Sequence, residues 1–184
     1  MSDLFDTLDA PTEAAEGGHS NNPADHGGET NHGITTATAR ANGYLGLMAS
    51  MTAAQAKAIR RSAFYVKPGI ELIAPLSVRI ATEVYDTGIN MGSEVAGIFL
   101  QRALNALNQQ GADYPDIKVD GAIGKGTAAA LKAFLARRGA LGEQVMLKAL
   151  NCLQGARYIE LAEGRAANET FEFGWLANRI GQVA

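Results

Sequence analysis

The chain has 184 residues, of which 47% are apolar and only 7% aromatic, and its net charge is −3. That length can bury a core of useful size in one domain or one and a half. The negative balance argues against nucleic acid, whose phosphates normally demand a basic face, and against bulk electrostatic attraction to an anionic cell wall.

In chain order, the first residues, Met1-Ser2-Asp3-Leu4-Phe5-Asp6, are acidic and show no basic stretch leading into an apolar one, so no export leader is expected. Residues 2–16 predict a helix, with Pro11 as a breaker that should kink or restart it. Asp9 is then available as a cap for the final turns. Residues 17–36 are rich in Gly, Asn and Pro and predict turns with room for a short hairpin. Thr52 predicts the N-cap of a helix that carries Ala56, Ile59, Ala63 and Phe64 on one face and stops at Pro68-Gly69. Helices are expected over 76–90, with Ile80, Val84 and Tyr85 inward, and over 93–108. A loop marked by Gly111, Pro115, Gly121 and Gly124 follows, then helices over 127–138, 144–163 and 171–180. Cys152, the single cysteine, sits between Leu150 and Leu153 and reads as an ordinary buried thiol that forms no internal disulfide. No run approaches the ~18 apolar residues of a membrane span. Strand-like alternation is almost absent, so the expected fold is mainly α with at most a small β-hairpin.

Chemistry concentrates in the turn region. Glu16 ends a helical stretch and is followed by Gly17-Gly18; Asp25 lies nine positions on, within Asn22-Pro23-Ala24-Asp25, and Thr30 five further. Two carboxylates and a hydroxyl held by tight turns are the parts that cleave a glycosidic bond: one acid protonates the leaving oxygen, the other activates water or attacks the sugar. The same residues also read as a solvated last-turn Glu and an Asx-turn Asp. His19, His26 and His32 lie close to Asp25 and Glu29. Their irregular spacing contains no paired His on a helix face, so no metal site and no cofactor are expected. Asp86 and Asn90 share a helix face and either line a groove or anchor helices to each other. Asp120 reads mainly as a turn residue bonding local amides, and Trp175, the only tryptophan, as core rather than a sugar platform.

The order Glu16-Gly17-Gly18, Asn22-Pro23-Ala24-Asp25, Gly27-Gly28-Glu29-Thr30 and Gly33-Ile34 closely resembles the opening of glycoside hydrolase family 108, the lysozyme-like N-acetylmuramidases common in phages. The stretch Tyr85-Asp86-Thr87-Gly88-Ile89-Asn90-Met91-Gly92 continues the likeness. So do Leu100-Gln101-Arg102-Ala103-Leu104-Asn105, Val119-Asp120-Gly121 and Gly174-Trp175-Leu176, which are similar to the peptidoglycan-binding type 3 region that accompanies that family. The family usually has Tyr where this chain has His19.

The resemblance implies a lysozyme-like helical fold with its small hairpin near the active site. It implies a catalytic region over 1–91 and a peptidoglycan-binding region over 92–184, the latter possibly integral to one compact domain. The implied reaction is hydrolysis between N-acetylmuramic acid and N-acetylglucosamine, with Glu16 as general acid, Asp25 as base or charge stabiliser and Thr30 positioning water. His19, Asn22, Asp86 and Asn90 would contact the glycan strand. Alternatives are a lytic transglycosylase, which needs no water-activating partner, and a non-catalytic wall-binding phage structural protein. An endolysin of this kind would be a monomer made in the host cytoplasm and released to the wall by a separate pore-forming, holin-type protein.

Overall fold

The computed structural model describes residues 3–15, 18–20, 28–165 and 168–181, without the side chains of Ala15 and Phe171. Among them it shows seven α-helices and a single two-stranded sheet, so the protein is mainly α. The chain divides into two compact units, Met1–Glu71 and Leu72–Ala184.

The first unit opens with α1 (Leu4–Ala15). Asp3 starts it by accepting the Phe5 amide at 3.2 Å. The helix passes through Pro11 without a restart, against the expectation of a break. The proline is exposed, while Phe5, Leu8 and Asp9 are buried on the other side and hold the segment helical. Lys57 reaches Asp6 at 3.1 Å and Glu13 at 3.4 Å, which braces α1 on both sides of the proline. Asp9 lies inside α1 and not at the start of a new helix. It is fully buried and takes a two-pronged ion pair from Arg60, at 2.7 and 2.8 Å.

Strands β1 (Thr30–Asn31) and β2 (Ile34–Thr35) form the anticipated hairpin, with Thr30 opposite Thr35 and Asn31 opposite Ile34. The connecting His32 and Gly33 have φ of 47° and 69°. A two-residue turn with both φ positive matches the twist of the strands, and Gly and His tolerate that region better than β-branched residues. Helix α2 (Thr36–Ala41) follows directly, capped by the Thr35 hydroxyl, which accepts the Thr38 amide at 3.1 Å. Helix α3 (Ala53–Arg60) starts at Thr52 as expected, with a full capping box between Thr52 and Gln55. From Arg61 to Val66 it widens to π spacing, with the Lys67 amide donating to the Ser62 carbonyl at 3.0 Å. Ile34, Ala39, Met48, Met51, Ala56 and Ile59 close one core, with Tyr44 and Phe64 packed on it.

The second unit is a helical assembly of α4 (Val78–Met91), α5 (Ser93–Leu107), α6 (Lys125–Glu163) and α7 (Glu169–Arg179). Ile80, Val84 and Tyr85 are buried on α4, as their spacing predicts. The two helices expected over 127–138 and 144–163 are present as the two parts of α6, divided by a kink at Gly139, whose φ of 56° and ψ of −148° lie outside the helical range. Cys152 is exposed, which corrects the expectation of a buried thiol. The buried stripe of α6 runs through Met146, Leu147, Leu150, Asn151, Gln154, Tyr158 and Ala162, and position 152 falls on the opposite side.

Candidate active site

Thr30 is held from both sides. It exchanges two backbone bonds with Ser20, at 2.9 and 2.8 Å, and pairs with Thr35 across the hairpin. Next to it Glu29 accepts from Thr36 through its carbonyl, by amide and hydroxyl both at 3.0 Å. Its carboxylate contacts His19 Nε2 at 2.8 Å. The partner of His19 is therefore a carboxylate of the hairpin. His32 serves the turn. Among the described residues no three His, Cys, Asp or Glu side chains converge on a common point. Glu16, Asn22, Asp25 and His26 lie outside the described residues.

Sequence reasoning missed the group that ties this region together. Arg60 is buried on α3; besides binding Asp9 of α1, it donates through Nη1 to the His32 carbonyl at 3.1 Å. One guanidinium thus joins the helix that leads toward Glu16 to the hairpin that carries Thr30. Buried charges survive only when paired and hydrogen-bonded, and here both conditions hold. The available signal was weak: an Asp before a helical Pro and an Arg closing an amphipathic stretch, 51 residues apart.

The remaining expected site residues fall in the second unit. Asp86 is about one-third exposed and bonds Arg179 of α7 at 2.9 Å. Gln154 of α6 approaches its other oxygen at 3.5 Å. Asn90 is exposed, and its amide donates to the Asp86 carbonyl at 2.8 Å. Asp86 therefore anchors three helices. Asp120 takes the Ala122 amide at 3.1 Å and the Gln101 side chain at 3.0 Å, while Gln101 Oε1 accepts the amides of Asp120 and Gly121. That is the structural turn its spacing suggests. Trp175 is half-buried and stacks on Tyr158, with centroids 5.2 Å apart.

Comparison with known proteins places these arrangements. Residues 10–92 match the family model described as glycosyl hydrolase 108, and residues 95–180 match that of a predicted peptidoglycan domain. The N-terminal half thus carries sequence of the glycosyl hydrolase 108 type. The two matches together make the chain a peptidoglycan hydrolase, a glycoside hydrolase of the muramidase type. Among solved structures it is similar to the Brucella abortus SagA structure, at 25% identity and a TM-score of 0.72 over 97% of this chain and 90% of that one. No curated protein matches the chain by sequence. The hydrolase match runs on to residue 92, whereas the packing divides after Glu71. Helix α4 thus carries hydrolase-family sequence but packs against α5 and α6.

A second missed residue is Glu83 on α4. It is almost fully buried, and its Oε1 has no hydrogen-bond partner. Burial, with repulsion from Asp86 next, pushes its pKa up to about 7, and a bond from Asn151 opposes the rise only in part. Its position three residues after Ile80 and one turn before Thr87 lies on the buried face of α4, a spacing that could have marked it.

Proposed function

We propose that this muramidase cuts between N-acetylmuramic acid and N-acetylglucosamine with Glu16 as general acid, Asp25 as base toward water and Thr30 as the residue that positions that water. The observation that carries this reading is the fixing of Thr30. A threonine whose backbone is bonded to Ser20 and Thr35 offers its hydroxyl from a rigid platform, which is what a water-orienting group requires. Glu13, the nearest rival carboxylate, is engaged by Lys57 on the side of α1 that faces α3. His19, Asn22, Asp86 and Asn90 are candidate glycan contacts. Of these, Asn90 is exposed and Asp86 partly so. Asp25 and Thr30 favour hydrolysis over transglycosylation, which needs only one acid.

The family resemblance further supports an endolysin of phage origin, acting as a monomer. It would be made in the host cytoplasm and admitted to the wall by a separate pore-forming, holin-type protein. Mass spectrometry of digested peptidoglycan tests the reaction. Reducing muramic ends are expected, and anhydromuramic ends would replace hydrolysis by transglycosylation. Glu16→Gln should lower turnover by roughly 10²–10⁴-fold, the typical value of a general acid. Asp25→Asn should lose more than Thr30→Ala, because it removes a charge. Loss of activity in Glu13→Gln but not Glu16→Gln would overturn the assignment. Expression with and without a pore-forming protein tests release: abrupt lysis without one would refute that dependence.

A further inference from the structure

The polar interior between α4, α6 and α7 is more than a helix anchor. Four side chains there hold buried polar atoms with no hydrogen-bond partner: Glu83 Oε1, Gln154 Oε1, Tyr158 Oη and both carboxylate oxygens of Glu172. Glu83, Gln154 and Tyr158 are each more than nine-tenths buried. A single orphaned polar atom can be tolerated, since each costs about 1–3 kcal/mol, but a folded chain rarely gathers several in one place without something to bond them. The group has a direction. Gln154 donates its amide to Thr87 at 3.2 Å and turns an unmatched acceptor inward. Tyr158 lies within electrostatic reach of Glu83, Asp86, Glu172 and Arg179 together. All of the orphaned atoms can accept hydrogen bonds; the tyrosine, and Glu83 while it holds its proton, can also donate. Of the charged groups around Tyr158 three are carboxylates and one a guanidinium, which is bonded to Asp86 at 2.9 Å. A compact cation with several N–H donors would bond such a set of acceptors.

We propose that this cluster binds a primary ammonium group, that of the diamino acid in the peptidoglycan stem peptide. The proposal rests on the peptidoglycan-hydrolase reading for its ligand, and adds a peptide contact to an enzyme whose chemistry concerns the glycan. An ammonium has three donors and no acceptor, which suits Glu83, Glu172 and Gln154 as its acceptors. The stacked rings of Tyr158 and Trp175 form an apolar wall for the methylene stem of the side chain. Asp86 and Arg179, each about one-third exposed, form the rim. The groups that bear on Glu83 are Asp86 on its own helix and Asn151 and Tyr158 on α6, while Gln154 of α6 and Arg179 of α7 reach Asp86. Glu83, its pKa pushed up to about 7 by burial, changes charge near neutrality. Ammonium binding should therefore strengthen as pH rises from 6 to 8.

The full chain is titrated with N-acetyl-L-Ala-γ-D-Glu-meso-diaminopimelate, whose one free amine is on the diamino acid, using fluorescence of Trp175, the only tryptophan. The same peptide with its free amine acetylated is the control. The amine form should shift the emission, and acetylation should weaken binding by about tenfold or more, because a charge-assisted contact is lost. Glu83→Gln and Glu172→Gln should each weaken binding of the amine peptide and leave the acetylated one unchanged, with circular dichroism confirming that each variant folds. Equal binding of the two peptides, or no response from the native chain to either, would overturn the proposal. Hydrolysis of intact peptidoglycan by the native chain is measured alongside. Its absence would count against the glycosidase reading and not against the ammonium site.

Discussion

Each of the two units buries an acidic side chain, Asp9 in the first and Glu83 in the second, and the two are treated in opposite ways. In the first, Asp9 meets Arg60 through two charge-assisted bonds, and the guanidinium has a further acceptor in the His32 carbonyl. In the second, Glu83 lies buried with one oxygen unmatched, beside a tyrosine and a glutamate in the same condition. A satisfied buried pair holds elements in a fixed relation. An unsatisfied one raises the energy of the empty state, and so favours anything that completes it. The difference separates a fastening from a receptor.

The comparison is broken most severely at Arg60. Arg60→Met leaves Asp9 charged and unpartnered in the interior, which should cost roughly 3–5 kcal/mol in denaturant unfolding. It should also loosen the hairpin that bears Thr30. The double variant Asp9→Leu/Arg60→Met should recover much of that stability while activity stays low, because the link to the His32 carbonyl is gone. Recovery of full activity in the double variant would show that the pair serves stability alone.

At Glu83 the sign reverses. Its carboxyl holds a proton in the folded chain up to about pH 7 but releases it near 4.5 when unfolded. The folded state therefore binds more protons between those values, and its advantage is complete below pH 4.5 and lost as pH rises through 7. Over that window native stability should fall by on the order of 3 kcal/mol relative to Glu83→Gln. Parallel stability curves for the two proteins would mean that Glu83 titrates normally.

Smaller effects sharpen the contrast between the units. Gly97 of α5 lies so close to the 119–121 turn that an added Cβ would sit 1.9 Å from the Gly121 carbonyl oxygen. Gly97→Ala should lower unfolding stability by roughly 1–3 kcal/mol through overpacking. Gly88→Ala, whose Cβ would meet nothing nearer than 3.7 Å, should be far milder. Thr52→Ala, which removes the capping box of α3, should cost about 1 kcal/mol in the first unit. Equal losses at Gly97 and Gly88 would count against the close approach of α5 to that turn.

Local patterns gave away most of the helices. Thr52 before an Ala-rich run, the Ile80–Val84 spacing and the Gly-marked loop at 111–124 are signals that depend only on neighbours in sequence. The misses share a cause. Pro11 was read by its intrinsic cost, but burial of Phe5, Leu8 and Asp9 outweighs one missing helical bond. Asp9 was read as a cap because its partner lies 51 residues away. Cys152 was judged by adjacent leucines, whereas a helix sorts residues by turns of 3.6. α2 went unseen because its six residues are too few for periodicity to show, although Thr35 was a legible cap. In the site, the hairpin around Thr30 followed from composition; the Arg60 link and the Glu83 cluster depend on long-range charge pairing, which no local pattern encodes.

The bend at Gly139 has a consequence for how this chain can vary. A left-handed residue at the middle of a long helix fixes where the part after it points, so that Asn151, Gln154 and Tyr158 meet Glu83 and Asp86 rather than running past them. Each side chain added at 139 would have to adopt a backbone conformation that L-residues disfavour. The aim of the helix beyond the bend, and with it the make-up of the polar cluster, is thus delegated to a position that has no side chain of its own.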